Sequence, residues 1–393
     1  MELSRPSFDA LHTPQRILLA PGPTNLPPAV SQALIAPLLG HMDPAFLQIM
    51  DETKALLRYV FQTTNELTIA LPATGGAGME AAIANVIEPG DRAVIIVAGV
   101  FGERMAEIAG RCGADVDRIE VEWGRAAELE AIESALQRKA KVVGLVHGET
   151  STGVEQPLAG IAQVAHDHEA LFLVDTVATL GGVAVPVDAL GIDVCYSGGQ
   201  KCLSAPPGLS PITFSTQAVE SIKGRRQKVQ SWYLDVSLLE QYWTETGARV
   251  YHHTAPVLMV YALREACRLV AEEGLEARVA RHARCASALR TGLQAMGLQV
   301  FAQEPYRLDT VTGVLVPEGV NDAAVRGRLL EEFGIEIAGG LGAYRGRMWR
   351  VGMMGYSCSE ANVLLFLAAL GKILNEEGYR NGGGVEAATV ALR

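Results

Sequence analysis

The sequence lacks a long hydrophobic run. No stretch approaches the roughly eighteen to twenty consecutive apolar residues that a transmembrane helix needs. Residues 1–19 also lack the apolar core of a secretory signal, and they carry acidic residues, which mitochondrial presequences avoid. We therefore expect a cytoplasmic protein without a membrane partner.

Cysteine is scarce and scattered. The 6 cysteines lie far apart, without the C-x-x-C pairs or nearby histidines that a zinc site requires. His252 and His253 are adjacent, and neighbouring side chains of a regular element point in different directions. We expect no bound metal, and a reducing compartment.

Basic runs are also rare. Lysine and arginine cluster only at residues 223–228, and the net charge is -11. Nucleic-acid-binding proteins usually present a strongly basic surface. We therefore expect no nucleic-acid partner.

What the chain does contain is enough apolar material for more than one core. It has 393 residues, of which 49% are hydrophobic and 20% charged, and domains usually hold about 100–200 residues. We predict an N-terminal arm (1–20), a large domain (21–275), a smaller C-terminal domain (276–376) and a loosely held, glycine-rich tail (377–393).

Short apolar strands alternate with helical segments in the first half of the chain. Such alternation predicts βαβ units, a mostly parallel sheet and hence the α/β class. After residue 208 the alternation weakens, and residues 232–235 together with 242–254 resemble a long crossing loop. A smaller α/β unit follows, with a strand predicted at 299–301.

Two charged residues stand out at the edge of the predicted sheet. Asp175 ends the apolar strand Leu171–Val174, and Lys201 follows a turn of small residues after the next strand. Ligands of open α/β sheets bind at this carboxyl edge. A desolvated lysine can form a Schiff base with an aldehyde, and a carboxylate can hold a pyridinium nitrogen. The pair therefore suggests the two ends of a pyridoxal phosphate site, although a loop-capping aspartate and a surface lysine would give the same pattern.

Three further features follow predicted strands. The turn Thr74-Gly75-Gly76 precedes a helix, and free backbone N–H groups at such a position suit a phosphate. Phe101 offers an aromatic face to a flat ring, and Thr150 lies in a loop rich in hydroxyls. Each signal is weak alone, because glycine turns between strands and helices are common, but one cofactor pocket would explain all three.

With these residues in this order, the chain resembles the fold-type I pyridoxal phosphate enzymes, and within them the alanine–glyoxylate and serine–pyruvate aminotransferases. The resemblance runs from about Arg16 to the last predicted helix. The segments that carry it are LLAPGPTNLP, VFQTTNELT, HGETSTGVEQPL, LVDTVATLGG, YSGGQKCLSAPPG, VYHHTAP, YALREA and WRVGMMG. It implies a large domain with a mostly parallel, seven-stranded type of sheet and a smaller C-terminal α/β domain.

The resemblance also implies roles for individual residues around the cofactor. Lys201 would form the internal aldimine, Asp175 would bind the pyridine nitrogen, and Thr150 would bond near the ring hydroxyl. The Thr74-Gly75-Gly76 turn and Gln200 would hold the phosphate. Two positions depart from the animal enzymes, which have tryptophan at Phe101 and histidine at Gly76.

Other implied roles concern the substrate and a second subunit. Arg350 would bind the substrate carboxylate, with Gly22 and Thr150 nearby, although a structural ion pair is an alternative for Arg350. Tyr251 and Thr254 would reach the phosphate from the other subunit of a homodimer.

The implied reaction is ping-pong transfer of an amino group from alanine or serine to glyoxylate or pyruvate. Relatives that use ureidoglycine carry Asn and Gln where this chain has Tyr251 and His41. Pyridoxamine–pyruvate aminotransferase carries Glu in place of Thr74. A binding protein that kept the fold and lost the chemistry is a further alternative. The presence of Lys201, Asp175 and Arg350 in the same chain argues against it. The preferred amino donor stays open.

Overall fold

A computed structural model describes residues 5–393. The strands are β1 (Ile17–Leu18), β2 (Leu67–Leu71), β3 (Arg92–Val97), β4 (Asp115–Glu120), β5 (Val142–Val146), β6 (Gly148–Glu149), β7 (Val154–Glu155), β8 (Leu171–Asp175), β9 (Val194–Tyr196), β10 (Ser210–Phe214), β11 (Val311–Leu315), β12 (Ile335–Glu336), β13 (Ala338–Gly339) and β14 (Met348–Gly352).

Helices cover both faces of the main sheet and build much of the C-terminal unit. They are α1 (Pro28–Ala33), α2 (Pro44–Phe61), α3 (Gly75–Val86), α4 (Val100–Arg111), α5 (Leu129–Leu136), α6 (Ile161–Asp167), α7 (Thr216–Lys223), α8 (Val236–Trp243), α9 (Val257–Glu273), α10 (Leu275–Ala295), α11 (Asp322–Phe333), α12 (Glu360–Glu376) and α13 (Gly384–Ala391). None of those in residues 5–393 is long and apolar enough to cross a membrane.

A seven-stranded sheet in the order β2-β10-β9-β8-β5-β3-β4 forms the centre of the larger unit. The strands from β9 to β4 run parallel, and β10 is antiparallel to both of its neighbours. Every residue of β5 and β8 is buried, as expected for central parallel strands covered on both faces. The predicted α/β class with a mostly parallel sheet is confirmed.

The C-terminal unit has its own sheet and core. Strands β11, β14 and β13 pair antiparallel, and α10, α11, α12 and α13 pack into a second apolar cluster. The N-terminal strand β1 pairs with β12, so Leu19 lies in this second cluster. The residue at which the large domain gives way to the small one stays a prediction.

Three local predictions need correction. The tail is not loosely held, because α13 packs on α10 and α12 and buries Ala388 completely. Helix α8 interrupts the predicted crossing loop, since Asp235 caps it and its apolar side chains recur at helical spacing. The predicted strand at 299–301 contributes only a single bridge, between Val300 and Val314.

Candidate active site

A cavity of about 230 Å³ opens at the carboxyl edge of the seven-stranded sheet. The βα connections of neighbouring parallel strands meet here, so residues distant in sequence become neighbours. Eight of the predicted site residues line it: Thr74, Gly75, Gly76, Phe101, Thr150, Asp175, Gln200 and Lys201.

Asp175 is buried at the end of β8, and both of its carboxylate oxygens accept hydrogen bonds. The Val177 N–H donates to Oδ1 and the Tyr196 hydroxyl donates to Oδ2, each at 2.7 Å. Burial raises the pKa of Asp175 to about 6, although both donors act in the opposite direction. Because Asp175 also lines the cavity, it can accept a further bond from a ligand.

Lys201 extends its amine into the space beside Gly22. Its Nζ donates to the Pro21 carbonyl, and burial lowers the pKa of Lys201 to about 8, helped by the positive charge of Arg350. Gly22 has φ +88°, and a Cβ there would lie 2.5 Å from Lys201 Cδ. A side chain at position 22 would therefore displace the amine, and the shifted pKa makes the neutral, nucleophilic form accessible.

The N-terminus of α3 lies open at the same cavity. Thr74 precedes the helix without a side-chain capping bond. The N–H groups of Gly75 and Gly76 in the first turn therefore stay uncapped, and they give this end of the helix a partial positive charge. Gln200 Oε1 is buried and has no partner within residues 5–393. A Cβ added at Gly76 would meet nothing within 4 Å. The uncapped helix end fits an anionic group such as a phosphate. The orphaned Gln200 Oε1 is an acceptor, so Gln200 would bond to such a group only through the N–H donors of its amide nitrogen.

Glu149 bonds to the first turn of α4, which carries Phe101, and to the loop that carries Thr150, and the sequence alone did not single it out. Its Oε2 accepts from the N–H groups of Phe101 at 3.0 Å and Gly102 at 3.2 Å. Its Oε1 accepts from the Ser151 N–H at 3.0 Å and hydroxyl at 2.6 Å. Burial raises the pKa of Glu149, and these four donors oppose that shift. One buried carboxylate thus connects the start of α4 with the loop after β6.

Arg350 lies buried on β14, outside the lining of the cavity. Its Nε donates to the Gly339 carbonyl at 2.8 Å and its Nη1 to the Thr150 carbonyl at 3.1 Å. Burial lowers the pKa of Arg350, and the charge of Glu149 partly offsets this. Within residues 5–393 no carboxylate forms a salt bridge with Arg350, and Nη2 has no hydrogen-bond partner. The alternative interpretation of Arg350, a structural ion pair, therefore has no partner carboxylate among these residues.

Tyr251 and Thr254 lie apart from the cavity. Both side chains are exposed, and their hydroxyls are 3.3 Å from each other. Between them His252 and His253 are buried, with their Nδ1 atoms 2.9 Å apart. Contrary to our expectation, the two side chains do meet, with their rings at 80° to each other, because this segment is irregular. No group of three or more possible metal ligands occurs among the described residues.

Two further residues near the site gave no usable signal in the sequence. Tyr196 is fully buried beside Asp175. Ser204, three residues after Lys201, has φ 59° although it is not glycine. Its hydroxyl oxygen accepts from the Tyr356 N–H at 2.8 Å and lies 3.2 Å from the Thr24 hydroxyl. Ser204 thus connects the lysine loop to the segment that follows the Arg350 strand.

The fold is that of a class-V aminotransferase. The sequence model of the family described as Aminotransferase class-V matches residues 17–361, so the chain belongs to that family and is an aminotransferase. It is 45% identical to alanine–glyoxylate aminotransferase of Callithrix jacchus, over 93% of this chain and 89% of that one. It is 43% identical to (S)-ureidoglycine–glyoxylate transaminase of Bacillus subtilis (strain 168), over 96% of this chain and 94% of that one.

A solved structure agrees. Alanine–glyoxylate aminotransferase from Nostoc sp. superimposes with a TM-score of 0.92 at 48% identity, covering 94% of this chain and 97% of that one. The resemblance to fold-type I aminotransferases of the alanine–glyoxylate group is confirmed. Relatives named for two different amino donors, alanine and ureidoglycine, are almost equally identical to this chain. Sequence identity alone therefore does not indicate which donor this chain uses.

Proposed function

We propose that the cavity binds pyridoxal 5′-phosphate and that the protein transfers the amino group of alanine or serine to glyoxylate or pyruvate. The observation that carries this proposal is the convergence of Lys201, Asp175 and the open N-terminus of α3 on one cavity of about 230 Å³. A basic amine, a carboxylate and a phosphate-binding turn suit the aldehyde, ring nitrogen and phosphate of that cofactor.

Each residue would then have one task. Thr74, Gly75, Gly76 and Gln200 hold the phosphate, Phe101 stacks on the ring, and Thr150 bonds near the ring hydroxyl. Asp175 holds the ring nitrogen in its protonated form. When bound, pyridoxal phosphate supplies an aldehyde and a ring that accepts electrons.

Lys201 and Arg350 would act on the substrate. With the cofactor bound, neutral Lys201 would hold its aldehyde and would accept the proton from the α-carbon of the substrate. Arg350 binds the α-carboxylate with two parallel N–H donors, with Gly22 and Thr150 beside the substrate. Amino and keto acids share this carboxylate, so one arginine serves both halves of a ping-pong reaction.

We also propose a homodimer in which Tyr251 and Thr254 of each copy reach the phosphate of the other. Both side chains are exposed and lie outside their own cavity. Large apolar side chains of the same region are also exposed, 61% for Trp232 and 52% for Val250. Exposed apolar clusters of this kind favour association.

The donor is tested by a substrate panel. Alanine, serine, ureidoglycine and pyridoxamine are each assayed with glyoxylate and pyruvate, and we expect alanine or serine to give the highest kcat/KM. Tyr251 and His41 support that expectation over ureidoglycine, and Thr74 supports it over pyridoxamine, because a carboxylate there would repel phosphate. A clear preference for ureidoglycine or pyridoxamine would overturn the donor assignment.

The chemistry itself is tested by Lys201→Ala. The unaltered protein should show an absorbance band near the visible edge of the spectrum when pyridoxal phosphate is added. Lys201→Ala should lose this band and all transamination while its circular dichroism is unchanged, because the amine is both the aldehyde partner and the proton carrier. Lys141→Ala, which changes a lysine outside the cavity, is the control. Normal turnover by Lys201→Ala would show that the central assignment is wrong.

A further inference from the structure

Tyr196 is buried directly beside the proposed ring-nitrogen partner. It ends β9 as Asp175 ends β8, and the two residues are paired in the parallel register of these strands. Paired residues of adjacent strands point to the same face of the sheet. Tyr196 is 0% exposed and Asp175 is 3% exposed.

The Tyr196 hydroxyl has one hydrogen-bond partner among the described residues. It donates to Asp175 Oδ2 at 2.7 Å, while the Val177 N–H donates to Oδ1 at 2.7 Å. With one donor on each oxygen, the plane of the carboxylate is held, and Asp175 still lines the cavity. Burial raises the pKa of the Tyr196 phenol well above its usual value, so this group stays a donor.

The charges around Asp175 make that donor important. Burial and the nearby Glu149 favour the protonated carboxyl, whereas Val177, Tyr196 and Lys201 favour the ionised form. Cys195, next to Tyr196, is buried, and its raised pKa keeps the thiol neutral. Within residues 5–393, the hydroxyl of Tyr196 is the only side-chain hydroxyl that bonds to the Asp175 carboxylate.

We propose that Tyr196 is a positioning residue that acts through Asp175. Its hydroxyl keeps the carboxylate ionised and oriented, so that the proton shared by Asp175 and the cofactor ring nitrogen lies on the nitrogen. This inference rests on the proposed function of Asp175. Removing the hydroxyl makes the carboxylate more basic and shifts the shared proton toward oxygen.

Tyr196→Phe tests the proposal in holoenzyme reconstituted with pyridoxal phosphate carrying ¹⁵N in the ring. The ¹⁵N resonance should move toward that of a neutral pyridine. The kcat should fall about tenfold, as expected for loss of one bond to a charged group, while KM for both substrates changes little. Tyr261→Phe removes the hydroxyl of another buried tyrosine, which lies near Leu39 and Pro37, and should leave resonance and kcat unchanged.

A second substitution strengthens the hydrogen bond from residue 196 to Asp175 and removes no atom from the protein core. With 3-fluorotyrosine at position 196 the hydroxyl is a stronger donor, and the ¹⁵N resonance should move toward the protonated form. An unchanged resonance in both variants overturns the proposal, even if Tyr196→Phe is less stable, because a merely structural tyrosine would not move it.

A double-mutant cycle separates this inference from the proposed function. Asp175→Asn should bind the cofactor and transaminate far more slowly, and adding Tyr196→Phe should then have no further effect on kcat. Additive losses would show that Tyr196 does not act through Asp175. Near wild-type turnover by Asp175→Asn alone would remove the role of Asp175 and this inference with it.

Discussion

At the scale of the residue, Arg350 is unusual because its buried guanidinium has no carboxylate partner within residues 5–393. A buried guanidinium usually has a carboxylate partner, because an unpaired buried charge costs several kcal/mol. Here two backbone carbonyls take two of its donors, and within residues 5–393 Nη2 has no partner. A substrate carboxylate would satisfy the remaining donors, which is what the proposed carboxylate role requires.

Arg350→Lys tests this use of the guanidinium. Lysine keeps the charge and loses the planar pair of donors, so KM for both the amino donor and the keto acceptor should rise about tenfold or more. Cofactor absorbance should not change. The control is Arg347→Lys, three residues away and exposed, which should have wild-type kinetics. If neither KM changes in Arg350→Lys, the carboxylate role is wrong.

At the scale of the element, the site depends on two helix N-termini that are treated differently. That of α3 has no side-chain cap and is open to the cavity, whereas that of α4 receives the buried carboxylate of Glu149. An acid at this position is stabilised by the helix dipole and by charge-assisted bonds. Glu149 therefore holds Phe101 in place, while α3 keeps its donors for a ligand.

Glu149→Gln should loosen that arrangement. The amide keeps the shape but provides only one accepting oxygen for donors that now bond to two. We expect a lower melting temperature and a Kd for pyridoxal phosphate raised about tenfold, since bonds to charged groups contribute about 1.5–3 kcal/mol each. Glu103→Gln, an exposed acid in the first turn of the same helix, should change neither quantity. Equal cofactor affinity in the two variants would contradict the role of Glu149.

Helix α13 packs closely enough on α10 for glycine to be required. A Cβ at Gly384 would lie 2.6 Å from Met296 Cγ, whereas one at Gly382 would meet nothing within 4 Å. We predict that Gly384→Val removes the protection of amides 384–391 from hydrogen exchange and that Gly382→Val preserves it. Equal protection in both variants would mean that this contact does not hold the tail.

At the scale of the whole molecule, the exposed positions of Tyr251 and Thr254 give the dimer proposal a direct test. Subunits with Lys201→Ala are mixed with subunits carrying Tyr251→Ala and Thr254→Ala, and each parent protein should be nearly inactive at low cofactor concentration. In a hybrid dimer one site would combine an intact Lys201 with the partner's intact Tyr251 and Thr254. Random exchange should restore roughly a quarter of wild-type activity.

The mixing experiment has a distinct negative result. If Tyr251 and Thr254 served the cavity of their own chain, every site of the hybrid would lack either the lysine or the phosphate contacts. No activity would then return on mixing, although sedimentation would still show dimers. Mixing two differently labelled populations of Lys201→Ala subunits is the control for exchange itself, because dimers that carry both labels show that subunits have exchanged.

The sequence by itself determined the class of the protein and most of its cavity. Apolar runs of strand length, each followed by polar or small residues, identified Asp175, Lys201 and the Thr74 turn, because parallel strands bring their carboxyl ends to one edge. These signals are local, so they can be read without knowing which strands are neighbours. The family resemblance added Arg350, Tyr251 and Thr254, whose distance in sequence conceals any relation to the cavity.

Only the tertiary structure decided which groups support those residues. The pairing of Tyr196 with Asp175 follows from strand register, and the bonds of Glu149 to α4 cross from one βα connection to another. The sequence of the tail likewise suggests a flexible, glycine-rich segment. Only the structure shows that its helix, α13, packs against α10. Such contacts depend on the relative placement of distant elements, and neither local propensity nor hydrophobic periodicity contains that information.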